Sequence, residues 1–120
     1  MNHSARSVLV FGLYLLPVGL GLVVAPNIVL GPLGFPASAE IWPRVLGVLT
    51  LALAYYYVQA ARGGVTAFYR WSVQVRTGVF VIFGVLALLR LAPPPLALLG
   101  VVDLIGAAWT ALALRAETAR

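Results

Sequence analysis

Apolar residues run along this chain in four unbroken stretches, at about residues 7–25, 43–61, 71–91 and 95–115. Each is close to the ~20 residues that carry a helix across a ~30 Å hydrocarbon layer. The runs are continuous rather than alternating, which predicts helices and not strands. In lipid, only helices and closed barrels satisfy every backbone group. The predicted fold is all-α: an integral membrane four-helix bundle running up-down-up-down, one domain over residues 1–120.

The connections between the runs carry their own signals. Residues 26–42 hold Pro26, Gly31, Pro32, Gly34 and Pro36 among apolar residues. That stretch reads as too broken for a helix and too apolar for a free loop. It is expected to lie along the headgroup boundary, with Trp42 as an interfacial anchor. The second connection, from Arg62 to Arg70, contains the turn pair Gly63-Gly64, and the third is the corner Pro93-Pro94-Pro95. The corner makes the third and fourth helices antiparallel neighbours. Arg6 ahead of the first run resembles the start of a signal peptide. Pro17 inside the run and Pro26 after the candidate cut argue for a retained helix instead.

Charge then orients the bundle. All eight basic residues other than His3 are arginines, and most flank the apolar runs. Arg6, Arg62, Arg70, Arg76, Arg115 and Arg120 fall on one side, and only Arg44 and Arg90 on the other. By the positive-inside rule both termini are expected to be cytoplasmic, in a multi-pass protein of the cell (inner) membrane. The net charge of +5 therefore reads as topology. No basic run with interleaved aromatics supports a nucleic-acid partner.

Composition narrows the function classes. Hydrophobic residues make up 62% and charged ones 9%, against roughly 45–50% and 25% in soluble domains. Too few polar residues remain to coat a water-soluble enzyme. The absence of cysteine removes disulfides, thiolate metal sites and cysteine nucleophiles. The single histidine, His3, lies on the N-terminal tail, so no imidazole stands within the spans to ligate haem. Only Glu40, Asp103 and Glu117 are acidic. No metal site, carboxylate dyad or cofactor is expected from so few, widely separated acids.

Helical spacing sorts each span into two faces. In the second run Arg44, Gly47, Thr50, Ala54 and Tyr57 oppose Leu46, Leu49, Leu53 and Tyr56. In the third Arg76, Phe80, Phe83, Ala87 and Arg90 oppose Val75, Val79, Ile82, Leu86 and Leu89. In the fourth Gly100, Asp103, Gly106 and Thr110 oppose Leu98, Val102, Ile105, Trp109 and Leu112. Small residues mark helix contact faces in lipid, so the small and polar stripes are expected to point inward. Counting ~1.5 Å per residue places Gly21, Thr50, Gly84 and Asp103 in one layer, roughly 10–12 Å below the outer boundary. That layer closes tightly or encloses a small cavity.

Asp103 carries the candidate chemistry. A carboxylate at a helix centre costs roughly 2.5–3.5 kcal/mol on insertion scales, so it needs a partner, a proton or water. Side chains lean toward the N-terminus of their own helix. Asp103 and Arg90 therefore lean toward each other, and Arg90 is the expected partner, with Arg44 second. Arg76 leans to the cytoplasmic surface and is expected to snorkel there. Asp103, Arg90, Arg44, Thr50 and Tyr57 are the ligand-binding candidates, and Asp103 is the one candidate for catalysis. The triplet Tyr55-Tyr56-Tyr57 reads as an aromatic belt at the inner boundary, with Tyr57 the member on the inward stripe, and Phe68, Tyr69 and Trp71 as an interfacial anchor. Arg62, Arg70 and Arg76 are placed to attract anionic lipid.

Across most of its length the chain resembles the small four-helix bacterial membrane proteins that include DoxX-like families. The resemblance lies in the Pro/Gly-rich connection, Arg44-Val45-Leu46-Gly47, Arg76-Thr77-Gly78 and Asp103-Leu104-Ile105-Gly106-Ala107. It implies the bundle, and some relatives accompany quinone-linked oxidoreductases. Three functions follow. The first is a non-catalytic accessory subunit packed against a larger membrane complex, a homo-oligomer being the other partner the chain could find. The second is a binding protein or small enzyme for an apolar lipid, quinone or isoprenoid near Asp103. The third is an oligomeric transporter or pore.

Overall fold

A computed structural model describes residues 1–119. Four long helices account for most of them: α1 (His3–Val24), α3 (Trp42–Gly63), α4 (Thr66–Leu88) and α5 (Leu96–Thr118). Each is long and apolar enough to cross a membrane. A short helix, α2 (Pro26–Leu30), and a 3-10 turn at Gly31–Leu33 follow α1. The start of the 26–42 connection is thus helical, contrary to the expectation of a broken stretch. Pro26 sits at the first position of α2, where its missing N–H costs nothing. The turn ends at Gly34, whose φ of 89° is open to glycine and few other residues.

The helices are longer than their apolar cores at several ends. α1 starts at His3 and α4 at Thr66, upstream of the expected 7 and 71. Intrahelical hydrogen bonding does not depend on apolarity, so polar residues extend the spans. The Asn2 side chain caps α1 by accepting from the Ala5 N–H at 3.0 Å. At the same end the Ser4 N–H donates to Glu117 at 3.2 Å. α3 carries Pro43 in its first turn and stops at Gly64, which has a φ of 67°.

Successive long helices alternate in direction. Gly12 faces Tyr57 and Val58, Gly19 faces Leu51, and Gly47 faces Val23, so α1 and α3 run antiparallel. Gly100 lies on Phe80 and Phe83 while Thr110 reaches Arg76, so α4 and α5 do the same. α1 packs most extensively on α3, and α4 on α5. The two pairs meet chiefly through α1 and α5, and α4 touches α1 and α3 only slightly. The cross-section is flattened accordingly, within extents of 50 × 29 × 17 Å.

Small residues set the tightest contact. A Cβ on Gly47 would stand 2.8 Å from the Gly19 carbonyl oxygen, and one on Gly19 would stand 2.9 Å from Leu51. The backbones of α1 and α3 approach closely there, as small residues permit. Gly84, expected in the same layer, has nothing within 4 Å. The layer therefore closes between α1 and α3 and stays open along α4. The aliphatic stripes face outward as expected: Leu49, Val75, Ile82, Leu98, Ile105 and Leu112 are all well exposed.

Candidate functional site

The centre of the bundle is built on Arg76. It lies ten residues into α4, roughly 15 Å from the helix start, and is only 1% exposed. A buried guanidinium loses several kcal/mol of hydration unless it is well partnered. Its own helix supplies the first partner, one turn back on the side toward which helical side chains lean. Arg76 Nε donates to the Ser72 carbonyl at 3.2 Å, and Nη2 donates to Ser72 Oγ at 3.1 Å. Nη2 also donates across to Thr110 Oγ1 of α5 at 2.9 Å.

Thr110 passes the interaction on to α1. Its Oγ1 lies 2.6 Å from Ser7 Oγ, and both are fully buried. Ser7 Oγ also lies 2.7 Å from the Ser4 carbonyl, and Thr110 Oγ1 lies 3.1 Å from the Gly106 carbonyl. Each hydroxyl has a single proton, so the chain can run two ways. Either Ser7 donates to Ser4 and receives the Thr110 proton, or Ser7 donates to Thr110, which donates to Gly106. Both directions leave Thr110 free to accept from Arg76.

Aromatic rings close the remaining side. The Arg76 guanidinium carbon lies 4.8 Å from the Phe11 ring centroid and 5.7 Å from that of Tyr57. These are cation–π distances. Phe11 and Tyr57 are themselves 5.1 Å apart, and Phe68 meets Tyr57 edge-on at 5.1 Å. Nη1 has no hydrogen-bond acceptor. It lies against Gly106, where a Cβ would stand 3.0 Å from it. Arg76 therefore touches all four long helices: α4 through Ser72, α5 through Thr110 and Gly106, α1 through Phe11 and α3 through Tyr57.

This arrangement corrects two expectations. Arg76 does lean toward the start of α4, but hydroxyls and rings hold it inside rather than letting it snorkel. Asp103 forms no ion pair within 4.0 Å among the described residues. Arg90, its expected partner, lies beyond the end of α4, exposed, with a φ of 58°. A residue outside the helical register does not obey the lean of helical side chains, so the pairing argument fails there. Asp103 is half-buried on α5, one turn before Gly106, against which Arg76 Nη1 lies. The two charges lean apart because α4 and α5 are antiparallel.

No protein-family model, curated protein or solved structure matches the chain.

The other candidates sit elsewhere. Arg44 caps α1, donating to the Val23 and Val24 carbonyls at its C-terminus. Thr50 Oγ1 donates to the Leu46 carbonyl of its own helix at 2.8 Å. Of these candidates Tyr57 is the one seen against Arg76 at the centre. Tyr69, read as an interfacial anchor, is buried, and its hydroxyl donates to the Ala60 and Ala61 carbonyls at 3.2 and 3.3 Å. It adds to the cap of α3, where the Ala60 carbonyl also accepts from the Gly64 and Val65 N–H groups. Sequence reasoning missed Ser7, Phe11, Ser72 and Thr110 as partners of Arg76. The Ser72/Arg76 spacing of four was the available signal. Among the described residues no three His, Asp or Glu side chains converge to hold a metal.

Proposed function

We propose that this chain is a multi-pass protein of the bacterial inner membrane, of the DoxX-like kind, acting as a non-catalytic accessory subunit of a larger membrane complex. The observation that carries this reading is the exposure of α4. Only 11% of its apolar window is buried against the rest of the chain, compared with 39% for α1. Gly78 and Gly84 of α4 have nothing within 4 Å, although small residues are what close helix contacts in lipid require. Arg76 Nε and Nη2, Thr110, Ser7 and Ser72 are engaged with one another, which gives most of the interior polar groups a packing role.

Extraction from native membranes in mild detergent, followed by intact-complex mass measurement, tests the subunit role. The expected result is a heterologous chain at fixed stoichiometry. Recovery of the chain alone, or only as a self-assembly, overturns it. Orientation has its own test, since the chain has no cysteine. Single cysteines at positions 2 and 64 are expected to resist an impermeant thiol reagent in intact cells, while those at 38 and 94 react.

A second reading rests on Asp103, half-buried at mid-span without an ion-pair partner among the described residues. It would hold the polar group of an apolar molecule, with Tyr57 alongside. Retention of the same lipids by wild type and Asp103→Asn would remove this reading.

A further inference from the structure

The groove between α4 and α5 at the end that carries the termini has a built-in preference. A hollow of about 340 Å³ there is lined by Arg70, Val73 and Gln74 of α4 and by Leu114, Arg115 and Thr118 of α5. Arg70 lies one turn into α4 and Arg115 one turn before the end of α5, so two antiparallel helices bring the two residues to a similar level, and both line the same hollow. Both are exposed, and neither has an ion-pair partner within 4.0 Å among the described residues. Below them the groove is lined by the apolar Val73 and Leu114.

Neighbouring hollows at the same end differ in charge. The one beside Arg6 includes Glu117, whose carboxylate opposes an anion. The one beside Arg62 contains a single guanidinium. The α4/α5 groove combines two guanidiniums, two further polar side chains and no carboxylate in its lining. Arginine forks match phosphate oxygens, and an apolar floor running into the spans suits an acyl chain. Basic grooves between membrane helices on the cytoplasmic side take anionic lipid headgroups.

We infer that this groove binds one anionic phospholipid, its phosphate held between Arg70 and Arg115 and an acyl chain laid along Val73 and Leu114. The inference rests on the membrane reading above. The Gln74 amide supplies a hydrogen bond to the headgroup, the Thr118 hydroxyl being committed to the Arg115 carbonyl at 3.0 Å, and the aliphatic floor distinguishes a lipid from a free anion.

The test is native mass spectrometry of the full chain in mild detergent, titrated with phosphatidylglycerol, with phosphatidylcholine of the same acyl chains, and with inorganic phosphate. The expected result is a single retained phosphatidylglycerol. Losing one guanidinium should weaken it about fivefold, and R70Q/R115Q together roughly 30-fold. R6Q/R62Q, which removes the same charge elsewhere, should leave retention within about twofold. Equal retention of the two lipids, or equal losses in the two double variants, overturns the site. Competition by phosphate as effective as that by phosphatidylglycerol overturns the lipid as occupant. Circular dichroism of each variant separates loss of the site from loss of fold. Reconstitution of wild type into neutral phosphatidylcholine vesicles tests the membrane reading separately, because it does not require this groove.

Discussion

Arg76 of α4 donates to Thr110 of α5 at 2.9 Å, and Thr110 in turn lies 2.6 Å from Ser7 of α1. A guanidinium and two hydroxyls thereby tie together three helices whose direct packing is uneven. α4 touches α1 and α3 only slightly, and this polar chain and the rings of Phe11 and Tyr57 join Phe68 and the Tyr69 hydroxyl in attaching it to the α1/α3 pair.

Thr110→Val keeps the shape of the side chain and removes the acceptor. It leaves Arg76 Nη2 with Ser72 alone, and the expected loss is about 1–3 kcal/mol. Arg76→Ala removes the whole side chain from a buried site and is expected to cost more, about 2–5 kcal/mol. Thr77→Val is the control, because Thr77 is exposed and bonds only within its own helix. Unfolding of the detergent-solubilised protein by increasing sodium dodecyl sulfate measures all three.

Tyr69→Phe deletes one hydroxyl that serves two carbonyls at the end of α3. The expected cost is about 0.5–1.5 kcal/mol. It should appear as faster amide hydrogen exchange at the α3–α4 junction, around residues 60–66, with little change in the α4/α5 corner.

Gly47→Leu and Gly84→Leu separate internal packing from external contact. At Gly47 the added side chain meets the Gly19 carbonyl and Val23 backbone at 2.8 Å, so α1 and α3 are forced apart. Overpacking of this kind costs about 1–3 kcal/mol. At Gly84 the added atoms meet open space, and stability should change by less than about 0.5 kcal/mol. If α4 docks on a partner chain, Gly84→Leu is nevertheless expected to reduce the copurified partner. A partner yield equal to wild type would remove that face from the interface.

Asp103→Asn tests whether the acid is tied to a cation. Rupture of a buried ion pair costs about 3–5 kcal/mol. Asp103 has no such pair among the described residues, so the variant is expected to lose less stability than Thr110→Val in the same unfolding assay. A larger loss would show that the carboxylate supports Arg76 directly.

Much of the fold was legible in the chain. The four apolar runs located the helices, and the three prolines at 93–95 placed α4 and α5 side by side. The Gly47, Ala54 and Tyr57 stripe identified the face of α3 that packs inward. The ends were less legible, because helical hydrogen bonding continues through His3, Ser4 and Thr66 where apolarity stops. The Pro26–Leu30 helix was hidden by prolines, one of which starts a helix rather than breaking it.

The sequence by itself determined how many membrane-length helices form, how they alternate and, through Gly47, Ala54 and Tyr57, which angular face of α3 turns inward. These depend on local hydrogen bonding, apolar length and a 3.6-residue period, all of which are properties of a single segment. Tertiary structure decided which arginine becomes the interior cation. That depends on what stands at the same height on neighbouring helices. Ser72, Thr110 and Ser7 meet Arg76 there, whereas Arg90 falls past the end of its helix. Height and rotation between helices are set by close approaches such as Gly19 to Gly47, which involve residues far apart in the chain.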